Sequence, residues 1–238
     1  MLHARTRLSS PDGLEAEGPD RKQAILLAAE RLFAQHGYHA VSIRHIAEAA
    51  GVPLALVGYH YGPKHELFHA IFAHWNTTIE QRLARLSVAR QAPRSRRLTE
   101  VIRAFVEPVL ALRASEEGES YALLVARELL YSSAEADRAL REFFDPLAHA
   151  FIDALNEVMP KASRAEVTWC YQFALGALLH HLSDVRAPRL ARRPGMRSGP
   201  GTTSMLISFI VGGIRAALHA PRASSPSSNP SHKIRRPA

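Results

Sequence analysis

The chain has 238 residues, a formal net charge of +8 and a single cysteine, Cys170. A chain of this length buries a large core, and one cysteine excludes a disulfide within the chain and fits a reducing compartment. We find no signal sequence near the start and no apolar stretch of the roughly 20 residues that a membrane span needs, so we expect a cytoplasmic protein without a membrane partner. Apolar residues recur with helical spacing along most of the chain, which predicts an all-α fold.

Nine basic residues, more than the net charge of +8, lie in two acid-free segments, residues 186–197 and 222–236. Residues 1–19 contain several Ser, Pro and Gly residues and predict a disordered leader, and residues 221–238 are rich in Pro, Ser and basic residues and predict a disordered basic tail. Residues 187–201 are rich in Pro, Arg and Gly and predict a flexible loop. Because the rest of the chain is close to neutral, the net charge by itself says little about specific DNA binding.

Three short helices are predicted between residues 20 and 66. The first runs from about Asp20 to His36, before Gly37. Ser42 is a typical N-cap for a second helix that ends at Gly51, and a third helix covers residues 53–59. Three short helices with a glycine turn between the second and third are typical of a helix-turn-helix, in which the third helix enters the major groove of DNA.

Residues 67–220 predict a larger helical domain. The spacing of apolar residues indicates one long helix that starts at Pro63 and continues to Val88, and later helices in which Pro108 and Pro146 cause kinks. The sequence Ser163-Arg164-Ala165-Glu166 is a capping box that opens a helix. The predicted helices after Val88 run from Thr99 through Val109, then over residues 119–131, 135–159, 163–182 and 203–218.

The first of these domains resembles the DNA-binding domain of the TetR family of transcription regulators. The resemblance is carried by residues 21–52, RKQAILLAAERLFAQHGYHAVSIRHIAEAAGV, and by residues 57–67, VGYHYGPKHEL. The second string and the later apolar helices resemble the CecR-like branch of the family. The resemblance implies a ligand-responsive repressor that binds a palindromic operator as a homodimer, with double-stranded DNA, a second copy of itself and an unknown small-molecule effector as partners.

The family's DNA contacts fall on matching positions of this sequence. The resemblance implies phosphate contacts at the start of the second helix, base contacts from the exposed face of the third, contacts from the aromatic–histidine pair at its end, and a phosphate contact from the lysine that opens the fourth. The implied residues are Ser42, Arg44, Pro53, Leu54, Ala55, Gly58, Tyr59, His60 and Lys64.

Two positions depart from the family pattern. Pro53 replaces the usual serine or threonine, so one phosphate contact is lost, and Gly58 replaces a frequent tyrosine. A glycine within a helix costs about 0.5–1 kcal/mol relative to alanine, so we expect the third helix to order fully only on DNA. Leu54 and Ala55 offer methyl groups rather than hydrogen bonds, which predicts operator recognition through DNA shape and backbone contacts. Tyr61 is expected to be a core residue.

The resemblance also implies an interface between two copies and an effector pocket. The last two long helices are expected to pair with their copies in a four-helix bundle; the alternative is that they form the core of a monomer. The interface residues implied are Trp169, Phe173, Ala177, Leu206, Ile210 and Ile214. The residues expected to line the pocket, each of which could instead be ordinary core, are Trp75, Phe105, Tyr121, Arg127, Phe144 and Phe151.

Other functions are less consistent with the sequence. It contains no glycine-rich phosphate loop, no GxSxG and no HExxH motif, so an enzyme is disfavoured. His65 and His69 are four residues apart, but no evident cysteine or carboxylate cluster completes a metal site. We therefore expect no metal and no cofactor. One alternative stays open: a nucleoid- or division-associated DNA-binding protein with the same fold.

Overall fold

The computed structural model describes residues 18–131, 134–196 and 198–219. Over these residues the chain forms α-helices and no β-strand, which confirms the all-α prediction. Most of the predicted leader, and the predicted tail, lie outside the described residues. The helices are α1 (Gly18–His36), α2 (Ile43–Ala50), α3 (Leu54–Tyr61), α4 (Lys64–His74), α5 (Asn76–Arg90), α6 (Arg94–Ala114), α7 (Glu119–Tyr131), α8 (Ala134–Ala139), α9 (Asp145–Val158), α10 (Arg164–Ser183), α11 (Ala187–Leu190) and α12 (Pro200–His219).

Helices α1, α2 and α3 form a compact N-terminal unit. Ile25, Ala29 and Phe33 lie on one face of α1 and are fully buried. Gly37 ends α1 with φ +82°, a left-handed conformation that glycine adopts without strain. The ring of Phe33 lies edge-on to Phe68 of α4, with centroids 5.3 Å apart, and this contact fixes the unit against the next helix.

The predicted long helix over residues 63–88 is broken in two at Trp75, so that prediction was wrong at this point. Trp75 has φ −92° and ψ 7°, outside the α-helical values, so α4 ends before it and α5 begins at the next residue. Its indole Nε1 donates a hydrogen bond to Glu30 of α1 at 2.7 Å, and its ring stacks on Tyr121 of α7 with centroids 5.1 Å apart. These two contacts hold the side chain at the break, and no sequence pattern predicts them.

The predicted helix over residues 135–159 is also interrupted. Residues Leu140–Phe144 form one π-helical turn between α8 and α9. Pro146 lies in the first turn of α9, where its missing N–H is harmless, rather than kinking a continuous helix. Pro108 lies inside α6, as predicted. The larger domain is built around α6, which packs against α5, α7, α9 and α12.

The C-terminal helices begin and end close to the predicted bounds. Ser163 and Glu166 form the predicted capping box of α10: the Glu166 N–H donates to Ser163 Oγ at 3.3 Å, and the Ser163 N–H donates to Glu166 Oε2 at 2.7 Å. Residues 187–201, predicted as a flexible loop, include the short helix α11 and the first residues of α12. This segment is therefore more ordered than the prediction.

The expectation that no segment is long and apolar enough to span a membrane was wrong for helix α12. Residues Pro200–Leu218 meet that test by length and composition, with a mean hydropathy of 1.4, and 22% of the segment is buried within the protein. The core helices of globular proteins can pass the same test, and α12 packs along α6 and α10.

Candidate DNA-binding surface and ligand cavity

The corner between α2 and α3 is fully formed, and α3 is helical over Leu54–Tyr61 without DNA, which differs from the expectation that it orders fully only on DNA. Gly51 adopts the left-handed conformation that ends α2, and the Val52 N–H donates to the carbonyl of Ala47 at 3.0 Å. Ile46 of α2 and Val57 of α3 are fully buried, so the inner faces of both helices are fixed against the N-terminal core. The outer face of α3 is consequently held in one orientation.

That outer face carries the predicted base-contacting residues. Leu54 is 52% exposed and Tyr59 is 82% exposed, and Ala55 and Gly58 are exposed as well. A Cβ added at Gly58 would meet no atom within 4 Å. The ring of His60 lies edge-on to Tyr59 with centroids 5.2 Å apart. The outer face of α3 is thus open to solvent. It is apolar at its N-terminal end, where Pro53 makes no side-chain cap bond, and polar at its C-terminal end.

The start of α2 presents the predicted phosphate-contacting residues. Ser42 Oγ accepts the backbone N–H of His45 at 3.2 Å, and the Ser42 N–H donates to His45 Nδ1 at 3.3 Å. The sequence analysis missed His45, because a histidine at the third helical position is an uncommon partner in a capping box. Arg44 is exposed, and its Nε lies 3.8 Å from Glu48 one turn along the helix.

The resemblance implied that Lys64 contacts a phosphate, but in this structure its side chain turns towards backbone carbonyls of the same chain. Its ammonium donates hydrogen bonds to the backbone carbonyls of Tyr38 and Val41, both at 2.8 Å, and lies 4.0 Å from the centre of the Tyr38 ring. Burial lowers the pKa of this lysine, and the charge of Glu135 partly opposes that shift. In this structure Lys64 holds the loop between α1 and α2, and so positions Ser42 at the loop's end.

Tyr61 lies behind α3 and not on its DNA-facing side. Its hydroxyl donates to the backbone carbonyl of Lys22 at 2.9 Å, and burial raises its pKa to about 12. It is partly buried against the core, in keeping with its predicted role. Tyr61 therefore packs against the core and bonds to α1, whereas Tyr59, two residues earlier, is exposed to solvent.

Helices α10 and α12 pack against each other, and both carry large exposed apolar side chains. Trp169 and Phe173 stack one turn apart on α10 and are 63% and 67% exposed, and Met205 and Phe209 of α12 are both 71% exposed. We call these four residues the apolar face. Gly176, Gly212 and Gly213 are also exposed on these helices and would let another helix approach closely.

The predicted interface residues divide between this face and the core. Trp169 and Phe173 lie on the apolar face, and Ala177 and Leu206 are partly buried beside it. Ile210 and Ile214 are each 4% exposed and belong to the core of the single chain, so their assignment to an interface was wrong. Met205 and Phe209 were missed because α12 is apolar on nearly all sides, and its sequence alone does not say which side packs against α6.

A mostly apolar cavity of about 330 Å³ lies between α5, α6, α7, α9 and α10. Tyr121 and Phe144 line it, as predicted. Trp75 lies behind Tyr121, with its ring stacked on that residue. The lining also contains Arg82 of α5, which the sequence analysis did not single out.

The remaining predicted pocket residues are placed elsewhere. Phe105 and Phe151 are buried core side chains, with ring centroids 5.2 Å apart, and they do not line the cavity. Arg127 is directed at the end of α1, where its guanidinium is so close to Gly37 that a Cβ there would lie 2.6 Å from it. Arg127 therefore joins α7 to the N-terminal unit.

Comparisons with known proteins identify both domains. The family model described as "Bacterial regulatory proteins, tetR family" matches residues 25–71, and the model described as "Tetracyclin repressor-like, C-terminal domain" matches residues 103–213. The chain belongs to the TetR family. Its DNA-binding unit and its larger helical domain are therefore those of a family of transcription regulators, not of enzymes, which agrees with the expectation from the sequence.

Curated relatives match over about 50 residues of the chain. The HTH-type transcriptional repressor AcnR of Corynebacterium efficiens is 40% identical over 50 residues, which is 21% of this chain and 27% of AcnR. AcnR of Corynebacterium glutamicum gives the same identity and coverage, and both exceed the 37% of the Corynebacterium diphtheriae protein. The chain thus spans about a quarter of the length of the curated relatives it matches.

Solved structures share the fold over most of the chain. HlyIIR, a hemolysin II transcriptional regulator, superposes with a TM-score of 0.58 at 19% identity, over 82% of this chain and 97% of HlyIIR. AibR, solved in complex with isovaleryl coenzyme A and operator DNA, superposes with a TM-score of 0.54 at 22% identity, over 81% of this chain and 97% of AibR. At these identities the likeness establishes the TetR fold alone.

Proposed function

We propose that this TetR-family chain is a ligand-responsive transcriptional repressor that binds a palindromic operator as a homodimer. The observation that carries the proposal is the exposed outer face of α3, held at a fixed corner by Gly51 and by the buried Ile46 and Val57. Its side chains Leu54, Ala55 and Tyr59 are exposed to solvent in the single chain, and a major groove is the surface that such a helix fits. The cytoplasm, where the chromosome lies, is the compartment in which we expect the protein to act.

The apolar face supports the homodimer. Large exposed apolar patches are rare on monomers and commonly mark interfaces. A palindromic operator also requires two copies of α3 related by a two-fold axis, which a symmetric pairing of α10 and α12 would supply. The same pairing would cover the exposed side of α12, so a membrane need not cover it. The finer assignment to the CecR-like branch rests on the string at residues 57–67 and stays a prediction.

The cavity supports a small-molecule effector. Its volume lies within the roughly 300–1,000 Å³ range typical of small-molecule sites. AibR, which shares the fold, binds both isovaleryl coenzyme A and operator DNA. An effector here would release DNA by favouring a conformation in which the two copies of α3 no longer match the operator.

Operator binding is tested by footprinting the protein on genomic DNA and then measuring affinity for the site by fluorescence anisotropy at fixed salt. We expect protection at a few promoter sites with two-fold symmetry. Tyr59→Ala should weaken binding about tenfold or more without unfolding the protein, because it removes a hydrogen-bonding aromatic side chain from the DNA-facing surface. The control is Leu190→Ala on α11, since Leu190 is 69% exposed and lies outside the N-terminal unit.

Two results would contradict this proposal. Equal affinities of wild type and Tyr59→Ala would mean that α3 does not meet the DNA. Protection spread over many unrelated genomic sites would favour the nucleoid- or division-associated alternative.

The homodimer is tested by light scattering after size exclusion. Phe209→Glu should yield a monomer, because it places a charge in the apolar face. Val88→Glu on α5 is the matched control, since Val88 is 72% exposed and lies outside that face, and it should remain a dimer. A monomeric wild type, or a dimeric Phe209→Glu, would refute the proposed interface.

A further inference from the structure

One of the two arginines that line the cavity lies in surroundings that do not neutralise its charge. Most of its lining is aliphatic or aromatic, and the ionisable side chains in the lining are Arg82, Arg85, Tyr121, Asp145 and Tyr171. Arg85 and Asp145 are exposed to solvent, whereas Arg82 is partly buried and its Nε is completely enclosed. A charge removed from water is costly unless it is paired, so an enclosed arginine needs an explanation.

Within the described residues, Arg82 Nε has no hydrogen-bond partner. Its guanidinium carbon lies 6.0 Å from the centres of both the Phe105 and Phe151 rings, at the outer limit of a cation–π contact. Burial lowers the pKa of the guanidinium, but an arginine stays protonated at neutral pH. The aromatic rings compensate for only part of the lost hydration, so the cation is left able to accept an anionic partner.

The hydroxyl of Tyr121 is a second buried polar group that lines the cavity region without a hydrogen-bond partner among the described residues. Arg82, Tyr121 and Tyr171 all line this cavity, and the Arg82 charge lowers the pKa of both tyrosines against the larger effect of burial. A cation and a hydroxyl donor together make a site for a carboxylate, which accepts both kinds of hydrogen bond.

We propose that the effector is a small amphipathic carboxylate, whose acid group pairs with Arg82 and Tyr121 and whose alkyl or aryl body fills the apolar remainder of the cavity. This inference rests on the proposed function and names the chemical class of its ligand. The aliphatic lining provides favourable burial for the ligand's body, and the enclosed cation selects against neutral and cationic analogues.

Two side chains, Tyr121 and Trp75, would separate the acid group from the DNA-binding unit. Tyr121 stacks on Trp75, and Trp75 donates to Glu30, which is on α1 and 1% exposed. A ligand that draws the Tyr121 hydroxyl towards its carboxylate acts directly on the residue that separates α4 from α5. Occupancy of the cavity is in this way connected to the orientation of α1 and α4, which support α3.

The class of ligand is tested by isothermal titration calorimetry on the full chain. The probes are linear carboxylates from butyrate to dodecanoate together with benzoate, each compared with the alcohol and the amine of the same carbon skeleton. We expect at least one carboxylate to bind about tenfold or more tightly than its alcohol and its amine, because only the anion forms charge-assisted bonds to Arg82. Failure of every carboxylate to exceed its neutral analogue tenfold would overturn the proposal.

The role of Arg82 is tested by Arg82→Met, which keeps an unbranched side chain and removes the charge. The tightest carboxylate should lose about tenfold or more in affinity, while its alcohol binds as before or more tightly. Arg96→Met is the control, because Arg96 is an exposed arginine on α6 outside the cavity. An unchanged carboxylate affinity in Arg82→Met would overturn the assignment.

Failure of this inference can be separated from failure of the proposed function. Operator affinity is measured by anisotropy without any ligand, and it depends on α3 and not on the cavity. Operator binding without preferential carboxylate binding would refute the ligand class alone, whereas carboxylate binding without operator binding would refute the repressor. A change in Trp75 fluorescence on titration, measured in a Trp169→Phe background, is expected if the carboxylate reaches Tyr121.

Discussion

Replacing Trp75 with phenylalanine removes one hydrogen-bond donor while keeping an aromatic ring at the break between α4 and α5. In the structure, Trp75 Nε1 donates to Glu30 Oε2 at 2.7 Å, and the Glu30 side chain is 1% exposed. The backbone of Tyr121 also hydrogen-bonds to Glu30. In Trp75→Phe, the buried carboxyl group would lose its side-chain donor and would keep the backbone contact.

The magnitude follows from the type of bond that is lost. A hydrogen bond to a charged group contributes about 1.5–3 kcal/mol, and its loss leaves a buried acceptor less well satisfied. The smaller ring also leaves some empty volume, which adds to the loss. For a chain of this size, each kcal/mol changes the melting temperature by about 2–4 °C, so we expect Trp75→Phe to melt about 3–12 °C below the wild type.

Differential scanning calorimetry at neutral pH measures this difference at a fixed protein concentration, because a dimer's melting temperature depends on concentration. The control is Glu30→Gln, which keeps an acceptor for the indole and should melt at or above the wild-type temperature. A Trp75→Phe variant as stable as the wild type would mean that this bond contributes nothing. A Glu30→Gln variant as unstable as Trp75→Phe would mean that the loss does not come from the donor.

Three further predictions concern stability. Burial raises the pKa of Glu30, so above pH 4.5 the native state binds more protons than the unfolded state. The stability of the wild type relative to Glu30→Gln should therefore fall as pH rises through the native pKa. A difference that does not change with pH in urea titrations would contradict this. Arg82→Met should stabilise the ligand-free protein by up to about 2 kcal/mol, because it removes an enclosed charge and gives up only weak cation–π contacts. A decrease of more than about 1 kcal/mol in the free energy of unfolding would instead reveal a partner for that charge. Gly58→Ala places its Cβ in open space within α3 and should stabilise the protein by about 0.5–1 kcal/mol. Gly37→Ala should destabilise it by more than that, because Gly37 has φ +82° and its Cβ would lie 2.6 Å from Arg127. Equal effects of the two variants in thermal melts would refute these two backbone environments.

The sequence analysis was most successful where structure depends on neighbouring residues. Ser163 and Glu166 form a capping box because both partners lie within one helical turn, and Gly51 ends α2 because glycine tolerates the left-handed conformation on its own. The apolar spacing of α1 likewise predicts which of its side chains are buried. The helix-turn-helix could therefore be recognised from the sequence, and with it the family.

Contacts between residues distant in the chain were decided by the tertiary structure. Lys64 was expected to reach towards DNA, yet its ammonium meets the Tyr38 and Val41 carbonyls more than twenty residues earlier. The break at Trp75 depends on Glu30 and Tyr121, which lie on two other helices. Helical periodicity carries no information about such contacts, because it records only how one helix divides its own residues between faces.

The same limit applies to the choice of face and to the cavity. The sequence by itself determined that α12 is apolar nearly all round, but only packing against α6 decided that Ile210 is core and that Phe209 is exposed. It contained Arg82 as one arginine among many, and only the fold enclosed that charge among apolar side chains. Local conformation follows from local chemistry, whereas the free energy of a buried charge or an exposed apolar side chain is set by whichever helices surround it.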